Sequence, residues 1–310
     1  MKKYFFAALI LALLPVSSSK VSAVAWSDLT MASESPRAVV SIHVKFRESA
    51  KANKNNLLCS GTLIARQWVL TAAHCIDSKN AQDHTVVIGF GTSSQTEYEV
   101  SNYYIPPQAD LYDIDETVFT GYDIALFKLS SPVKYAKPAM VRNFKKVRAF
   151  PGSLLVYGFG LDQNDDLPGI VGARQVKFVR NLSSEYPEFY EALNPRNIAA
   201  YSSRDITYTE CKSFTVTVPK SHSDGAQYSD GVPKSPPVAP EDTCRSVTTT
   251  RLDGGACGGD SGGPLMGVLN GKNYVLGVVS YGYHCAYPAP TIYVKVNSFV
   301  PWIKDTITNN

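Results

Sequence analysis

Three residues that lie far apart along this chain have side chains suited to joint chemistry. Ser261 lies in the segment GGDSGGP, His74 in TAAHC and Asp123 in GYDIAL. A serine hydroxyl is a weak nucleophile at neutral pH unless a neighbouring imidazole accepts its proton. An acid must in turn hold that imidazole in the correct tautomer. If the fold brings them together, the three residues predict acyl transfer through a serine nucleophile.

At these motifs the chain resembles the chymotrypsin–trypsin family of serine endopeptidases. The motifs follow that family's order of His, Asp and Ser, and the resemblance runs from about residue 24 to the C-terminus, interrupted by a long insertion before Cys244. The resemblance implies that Ser261 is the nucleophile, His74 the base and acid, and Asp123 the residue that orients His74. It also implies an oxyanion hole formed by the backbone N–H groups of Gly259 and Ser261.

The same resemblance supplies a substrate pocket. Its floor lies six residues before the nucleophile, at Gly255, and its walls carry over as Gly282 at the mouth and Thr291 deeper inside. Ser280 is expected to support the buried acid and to pair with the substrate backbone. Trypsin-like members carry Asp at the floor, whereas Gly255 has no charge, so cleavage after uncharged apolar residues is predicted.

Two other functions are compatible with parts of this pattern. The sequence Gly259-x-Ser261-x-Gly263 also fits the nucleophile elbow of α/β-hydrolases, which would make the chain an esterase. That fold orders its triad Ser, acid, His, but only His284 follows Ser261 and no Asp or Glu lies between them. A catalytically silent relative acting as a binding protein is the second alternative. Such proteins usually lose a triad residue, and this chain has all three.

The remaining ionisable motifs predict no metal or cofactor. An acidic cluster matches no calcium-loop spacing and is interpreted as a solvated loop. The cluster consists of Asp110, Asp113, Asp115 and Glu116. Four further histidines lack a catalytic context, and structural or solvated roles are expected for them. They are His43, His84, His222 and His284.

The N-terminus predicts export from the cell. Residues 1–23 combine a Lys-Lys start, an apolar run over residues 4–16 and small residues before a cleavage site. The run is too short for a bilayer, which needs about 20 apolar residues. Cleavage removes three lysines and no acid, so the net charge falls from +3 to zero and gives no bias towards nucleic acid or membrane. A secreted or periplasmic monomer is expected, with protein or peptide substrates and protein inhibitors as partners.

Six cysteines in an exported chain predict three disulfides. None lies in a CxxC pair, so a zinc site is not predicted. The resemblance implies one bridge beside His74, Cys59–Cys75, and one beside the pocket, Cys257–Cys285. Cys211 and Cys244 are left over, and a bridge between them would tether the insertion. A different connectivity with the same number of bridges is the alternative.

Activation departs from the pattern that the resemblance implies. Family members usually insert a new N-terminal amine, from a segment beginning Ile-Val-Gly-Gly, beside the acid that precedes the nucleophile. That acid is Asp260 here, but no such segment exists. Counting back from Pro36 by the family's spacing reaches Val24, which signal-peptide cleavage would also expose. Val24 is therefore the expected N-terminus and the expected partner of Asp260.

Short apolar runs separated by turn residues predict an all-β protein, because no alternation of strands with helices appears. Val40, Ile42, Val44 and Phe46 alternate with polar residues, which predicts a half-buried strand. Other predicted strands are Val86–Phe90, Ile124–Leu129, Leu154–Tyr157, Val176–Val179, Phe214–Val218, Tyr274–Val279 and Ile292–Val296.

These runs predict two antiparallel β-barrels, six-stranded as in trypsin-like proteins. The protease domain is expected over residues 24–310, with one barrel over about 24–146 and the other over about 147–310. An insertion is expected over about 181–243, with a short helix in Ser184–Ala200 and an extended loop over Pro219–Asp242. A C-terminal helix is expected over Val296–Ile307.

Overall fold

The computed structural model describes the chain from residue 36 to residue 310 with several gaps. The described ranges are 36–45, 56–161, 167, 169–179, 194–211, 244–253, 255–282 and 289–310. Residues 1–35, including the predicted signal peptide and Val24, lie outside them, as do Cys285, the predicted strand Phe214–Val218 and the predicted loop Pro219–Asp242. Of the described helices, none has the length and apolar character needed to cross a bilayer.

The first six strands form a closed antiparallel barrel. They pair in the order β1-β2-β3-β6-β5-β4. Their bounds are β1 Val39–Val44, β2 Leu57–Ala65, β3 Trp68–Thr71, β4 His84–Ile88, β5 Thr96–Tyr104 and β6 Ala125–Leu129. The predicted six-stranded barrel is confirmed for this half of the chain.

Strand β1 is buried on both faces, so the prediction of a half-buried strand was wrong. The polar side chains satisfy each other, because Ser41 Oγ lies 2.8 Å from His43 Nε2 and His43 Nδ1 lies 3.1 Å from Asn56 Oδ1. The His43 ring packs on Phe90, which packs in turn on Phe159 in the second half of the chain. Packing between the two barrels therefore covers a face that an isolated barrel would leave to water.

The acidic cluster between β5 and β6 begins a short helix, α1, over Ile114–Phe119. The Asp113 side chain accepts a hydrogen bond from Glu116 N at 3.1 Å, and two acids lie in the first turn. Both features stabilise a helix N-terminus. The end of the helix is bonded to the following loop, since Tyr122 N donates to Thr117 O at 3.0 Å. The helix thereby positions the loop that carries Asp123.

The second half of the chain forms one antiparallel sheet that nearly closes into a barrel. Six strands pair in the order β10-β14-β13-β12-β7-β8. Strand β11 pairs with the second part of β10, and the short strand β9 pairs with β10 at Ala200 and Tyr201. The bounds are β7 Ser153–Gly158, β8 Gly172–Gln175, β9 Lys177–Phe178, β10 Asn197–Cys211, β11 Cys244–Asp253, β12 Pro264–Leu269, β13 Lys272–Tyr281 and β14 Thr291–Lys295. The predicted fold of two barrels is confirmed.

The long hairpin of β10 and β11 was not predicted. Residues Asn197–Ala200 pair with β14. Of the segment Ser184–Ala200, in which a short helix was predicted, residues 184–193 lie outside the described residues, so that helix stays a prediction. From Ser202 onward the described partner of β10 is β11, and the register places Cys211 opposite Cys244. This backbone register brings together the two cysteines that were left over for the third predicted bridge, and the bridge itself stays a prediction.

The C-terminal segment is helical, as predicted, but its α-helix begins later than Val296. Residues Val296–Phe299 form a 3₁₀ turn, and α2 follows over Val300–Asn309. Pro301 lies in the first turn of α2, where its missing N–H costs no intrahelical hydrogen bond. Val300, Ile303 and Thr306 face the core.

Candidate active site

His74 and Asp123 lie at the same edge of the first barrel. His74 lies in a 3₁₀ turn over Ala73–Cys75 that follows β3, and Asp123 comes shortly before β6. Strands β3 and β6 are paired, with Thr71 opposite Ala125, so their adjoining loops meet. The Cys59–Cys75 disulfide is present as predicted and fastens the turn of His74 to β2.

Asp123 is a fully buried carboxylate with three hydrogen-bond donors. His74 Nδ1 lies 2.8 Å from Asp123 Oδ2, and His74 N donates to Asp123 Oδ1 at 3.0 Å. Ser280 Oγ donates to Asp123 Oδ2 at 2.5 Å. An ionised carboxylate only accepts hydrogen bonds, so Nδ1 carries the proton and Nε2 is left as a base. The His74 side chain is 24% exposed and Asp123 is 0% exposed, so the imidazole connects a buried charge to the surface.

Ser261 lies in a tight turn that precedes β12. Within this turn Asp260 N donates to Cys257 O at 3.0 Å and Gly263 N donates to Asp260 O at 2.8 Å. Among the described residues, no hydrogen bond joins Ser261 Oγ to His74. Such bonds are often long in a free enzyme and tighten when substrate binds.

Gly262 shows how closely the Ser261 turn approaches the first barrel. A Cβ at Gly262 would lie 2.1 Å from Thr71 Oγ1 and 2.5 Å from Ser60 O. Only glycine fits there, and its φ of 76° is also one that other residues rarely adopt. Since Thr71 ends the strand before His74, this contact sets the serine turn beside the turn of the histidine.

Ser60 is a positioning residue that the sequence analysis did not identify. Its backbone N–H donates to Ser261 O at 2.8 Å, and its hydroxyl donates to Gly259 O at 2.9 Å. The same hydroxyl accepts a hydrogen bond from Phe159 N at 2.9 Å. Its position directly after Cys59, in the strand fastened to the His74 turn, was the available signal. Ser60 thus joins both barrels to the nucleophile turn.

The backbone around Gly259 and Ser261 offers two unused donors. Asp260, Gly262 and Gly263 all donate their N–H groups to carbonyl oxygens. The N–H groups of Gly259 and Ser261 have no acceptor among the residues that the structure describes. Gly259 has a φ of 89°, and a Cβ there would lie 2.8 Å from Gly160 Cα, so this backbone path also requires glycine.

Asp260 is completely buried beneath the nucleophile turn. Gly160 N donates to Asp260 Oδ1 and Cys257 N donates to Asp260 Oδ2, each at 2.8 Å. Within the described ranges no cation lies within 4.0 Å of its carboxyl group. Burial raises the pKa of Asp260 to about 7, although the two backbone donors favour the charged form.

The predicted pocket residues fall into two groups. A Cβ at Gly282 would lie 3.6 Å from Thr291 Cα and 3.8 Å from Thr291 Oγ1, so these two residues face each other. Gly255 instead faces Arg174, whose Cδ would lie 3.4 Å from such a Cβ. Val156 and Val176 complete the surroundings of Gly255. Cys257 is disulfide-bonded, and its predicted partner Cys285 lies outside the described residues.

Arg174 is a second residue that the sequence analysis missed. It is 6% exposed on β8, and its Nε donates to Ser202 Oγ at 2.6 Å. Nothing in its sequence context distinguishes it from a surface arginine on an edge strand. Its burial beside Gly255 places an arginine, and not an aspartate, next to the predicted pocket floor.

Comparison with known proteins identifies the family. A family model described as Trypsin matches residues 34–202 and 182–303. The chain belongs to the trypsin family. The clotting factor G beta subunit of Tachypleus tridentatus is 26% identical over 267 residues, covering 82% of this chain and 72% of that protein. Chymotrypsin-like elastase family member 1 from Felis catus is 29% identical over 259 residues, covering 81% and 79%. The Macaca fascicularis protein of that name is 29% identical over 261 residues, with the same coverage.

Membership of the trypsin family supports a function of the serine-protease type for this chain. It agrees with the fold, because the closed first barrel, the nearly closed second barrel and the short C-terminal helix are those of a trypsin-like protein. Trypsin-like proteases act on protein substrates and are bound by inhibitors.

Proposed function

We propose that this protein is an active, secreted serine endopeptidase with Ser261 as nucleophile, His74 as base and acid, and Asp123 as the orienting acid. The observation that carries the proposal is the buried Asp123 carboxylate bonded to His74 Nδ1 at 2.8 Å, beside the turn that presents Ser261. A carboxylate removed from water is costly unless it is paired, and this pairing sets the imidazole for proton transfer.

The reaction follows from the atoms available. His74 Nε2 takes the proton of Ser261 Oγ as that oxygen attacks the substrate carbonyl carbon. The carbonyl oxygen becomes an oxyanion, which the N–H groups of Gly259 and Ser261 stabilise. The C–N bond then breaks, His74 gives its proton to the departing amine, and an acyl-enzyme remains. Water attacks this ester by the same two proton transfers, which releases the acid and restores Ser261.

Two alternatives, an esterase and a silent binding protein, can be distinguished from an endopeptidase by the substrates and probes that they react with. An endopeptidase digests casein, whereas an esterase of the same triad turns over short esters and leaves casein intact. A silent binding protein does neither and does not react with a fluorophosphonate probe. We expect the mature protein to react with the probe and to digest casein. A probe-reactive protein that leaves casein intact would support the esterase instead.

We expect cleavage after uncharged apolar residues. Gly255 provides no negative charge, and the adjacent Arg174 side chain cannot neutralise a substrate cation. An uncompensated buried charge costs about 3–5 kcal/mol, so substrates with Arg or Lys before the cut should react at least about 100-fold more slowly than apolar ones. Two relatives carry the name chymotrypsin-like elastase, which suits this preference.

A peptide library scored at the residue before the cut measures this preference. Peptides that differ only in having Arg or norleucine at that position give the ratio of kcat/KM directly. Dominant cleavage after Arg or Lys would show that an acidic side chain elsewhere enters the pocket, and the assignment of Gly255 as its floor would be rejected.

The proposed activation step pairs the Val24 amine with Asp260. Asp260 is buried with two neutral donors, which leaves its negative charge without a described counterion. An ammonium group beside it would favour the ionised form and fix the turn that carries Gly259 and Ser261. Signal-peptide cleavage would then produce the active enzyme without a separate propeptide.

This step predicts opposite effects of Asp260→Asn in two forms of the protein. Without the amine, the folded pKa of about 7 exceeds the usual value of about 3.9, so the folded state binds the proton more tightly. Stability then falls as the pH rises from about 4 to about 7. In a form with one extra residue before Val24, Asp260→Asn should therefore raise stability at about pH 8. In the form that begins at Val24, the same replacement should lower stability, because it removes the ion pair.

Urea unfolding of both forms at about pH 5 and about pH 8 tests this prediction. A Ser261→Ala background prevents self-digestion, and Glu97→Gln, at an exposed acid on β5, controls for the change in charge. N-terminal sequencing of the exported protein identifies its first residue. Equal effects of Asp260→Asn in both forms would show that the amine does not reach Asp260.

The proposed enzyme is exported as a monomer. Removal of residues 1–23 would release a monomeric domain over residues 24–310 into the periplasm or the medium. Its two barrels would divide near residue 146, with the insertion over about 181–243 attached to the second. Protein inhibitors that occupy the substrate groove are the expected partners besides substrates.

A further inference from the structure

A cavity of about 450 Å³ lies on the second barrel among residues that the proposed reaction does not use. It is bounded by the segment before β7, the start of β10 and the end of β14. Its lining residues are Phe144–Ala149, Asn194, Pro195, Asn197, Ile198, Lys295 and Asn297. None of His74, Asp123 and Ser261 belongs to this lining, so the cavity is separate from the candidate active site.

Among the described residues of the cavity lining, four carry a cationic side chain and none is acidic. The cations are Lys145, Lys146, Arg148 and Lys295. The whole chain is close to balance, with 30 basic and 27 acidic residues, so this local excess does not follow from composition. In the part of the chain that the structure describes, no carboxylate lies within 4.0 Å of any of these four groups.

Lys295 lies close enough to Arg148 for the two positive charges to repel each other. The Lys295 side chain is partly buried, and its ammonium group donates to the carbonyl oxygen of Pro195. Burial and the nearby charge of Arg148 both lower the pKa of Lys295. Like charges that are held together in this way are stabilised when an anion is placed between them.

The walls of the cavity are joined by direct contacts. Phe144 N donates to Asn297 Oδ1 at 2.5 Å, which links the segment before β7 to the end of β14. Arg142 lies 5.9 Å from the centre of the Phe144 ring and adds a further cation beside the lining. The cationic groups therefore come from two chain segments, the one before β7 and the end of β14, which the hydrogen bond between Phe144 and Asn297 joins.

We propose that this cavity binds a small polyanion that carries closely spaced phosphate or sulfate groups. Tetrahedral oxyanions accept several charge-assisted hydrogen bonds from ammonium and guanidinium groups, and Arg148 can donate two in parallel. The volume lies within the range of about 300–1,000 Å³ that is usual for small-molecule sites. A long nucleic acid would need a basic stripe along the surface, whereas these charges converge on one concavity.

Isothermal titration of the mature protein with two probes tests the site. The probes are inorganic tripolyphosphate and a fully sulfated disaccharide, each at about 50 mM and about 200 mM salt. We expect binding that weakens with salt. The double variant Arg148→Gln/Lys295→Gln should bind at least about 30-fold more weakly, and Lys134→Gln/Lys272→Gln, with the same change in charge at exposed positions outside the lining, should bind as the wild type does.

The probe that binds more tightly identifies the source of the oxyanions. Thermal unfolding verifies that each variant is folded, and Lys145→Gln/Lys146→Gln, at two exposed positions, replaces the first variant if that one does not fold. No binding of either probe below about 1 mM at the lower salt concentration would overturn the proposal. Equal losses in the cavity and control variants would also overturn it, as would a single-stranded DNA oligomer that binds more tightly than both probes through the same residues.

Discussion

Ser261→Ala should abolish reaction with a fluorophosphonate probe and lower casein hydrolysis by about 10⁶. The expected loss is large because the alanine has no oxygen to form the acyl-enzyme, and His74 then has no proton to transfer. Folding should be preserved, since the Ser261 contact that the structure shows is made by its backbone, whose carbonyl oxygen accepts from Ser60 N at 2.8 Å. Rates with a fluorogenic peptide, normalised to folded protein, measure the loss.

A control replacement at another serine tests whether the loss of activity is specific to Ser261. Ser131→Ala removes a hydroxyl at an exposed position after β6 and should leave labelling and hydrolysis unchanged. Mass spectrometry of the labelled wild type should locate the probe on Ser261. Labelling that persists in folded Ser261→Ala would reject this residue as the nucleophile, whatever the hydrolytic rate.

The two barrels could be predicted because their strands are short apolar runs separated by turn residues. Both features can be recognised from neighbouring residues in the sequence. The sequence did not predict that β1 is buried on both faces, since the His43 ring is covered by Phe90, which packs in turn on Phe159 in the second half of the chain. Alternation along a strand reports burial by its own sheet only. The hairpin of β10 and β11 was also missed. From Ser202 onward, among the described residues, the two strands pair with each other and extend away from the barrel.

The catalytic candidates were predictable because each lies in a distinctive local motif. Ser60 and Arg174 lie in no such motif, and their importance comes from where the fold places them. Ser60 bonds to the nucleophile turn across 199 positions of the sequence. Arg174 reaches the surroundings of Gly255 only through the pairing of β7 and β8. Long-range contacts of this kind leave no periodic trace in one sequence.

Asp123→Asn should lower turnover by about 10⁴, the size of effect found when this acid is replaced in a Ser-His-Asp triad. The asparagine has the same shape but only one acceptor oxygen. If that oxygen takes the place of Oδ1 and keeps the hydrogen bond from His74 N, the amide NH₂ takes the place of Oδ2 and faces His74 Nδ1. The imidazole must then carry its proton on Nε2, where it cannot accept the proton of Ser261. The loss should appear in kcat, while KM changes little, because Asp123 is fully buried and does not contact substrate.

Two companion variants distinguish the tautomer from the other effects of this replacement. Asp115→Asn removes a charge from the exposed surface of α1 and should retain full activity. Ser280→Ala removes one hydrogen bond to Asp123 but keeps the carboxylate and the His74 Nδ1 proton, so its loss should be far smaller than 10⁴, about tenfold. If folded Asp123→Asn keeps near-full kcat, a different acid orients His74. If Ser280→Ala loses as much as Asp123→Asn, the hydroxyl and not the charge fixes the imidazole, because only the hydroxyl differs between that variant and the wild type.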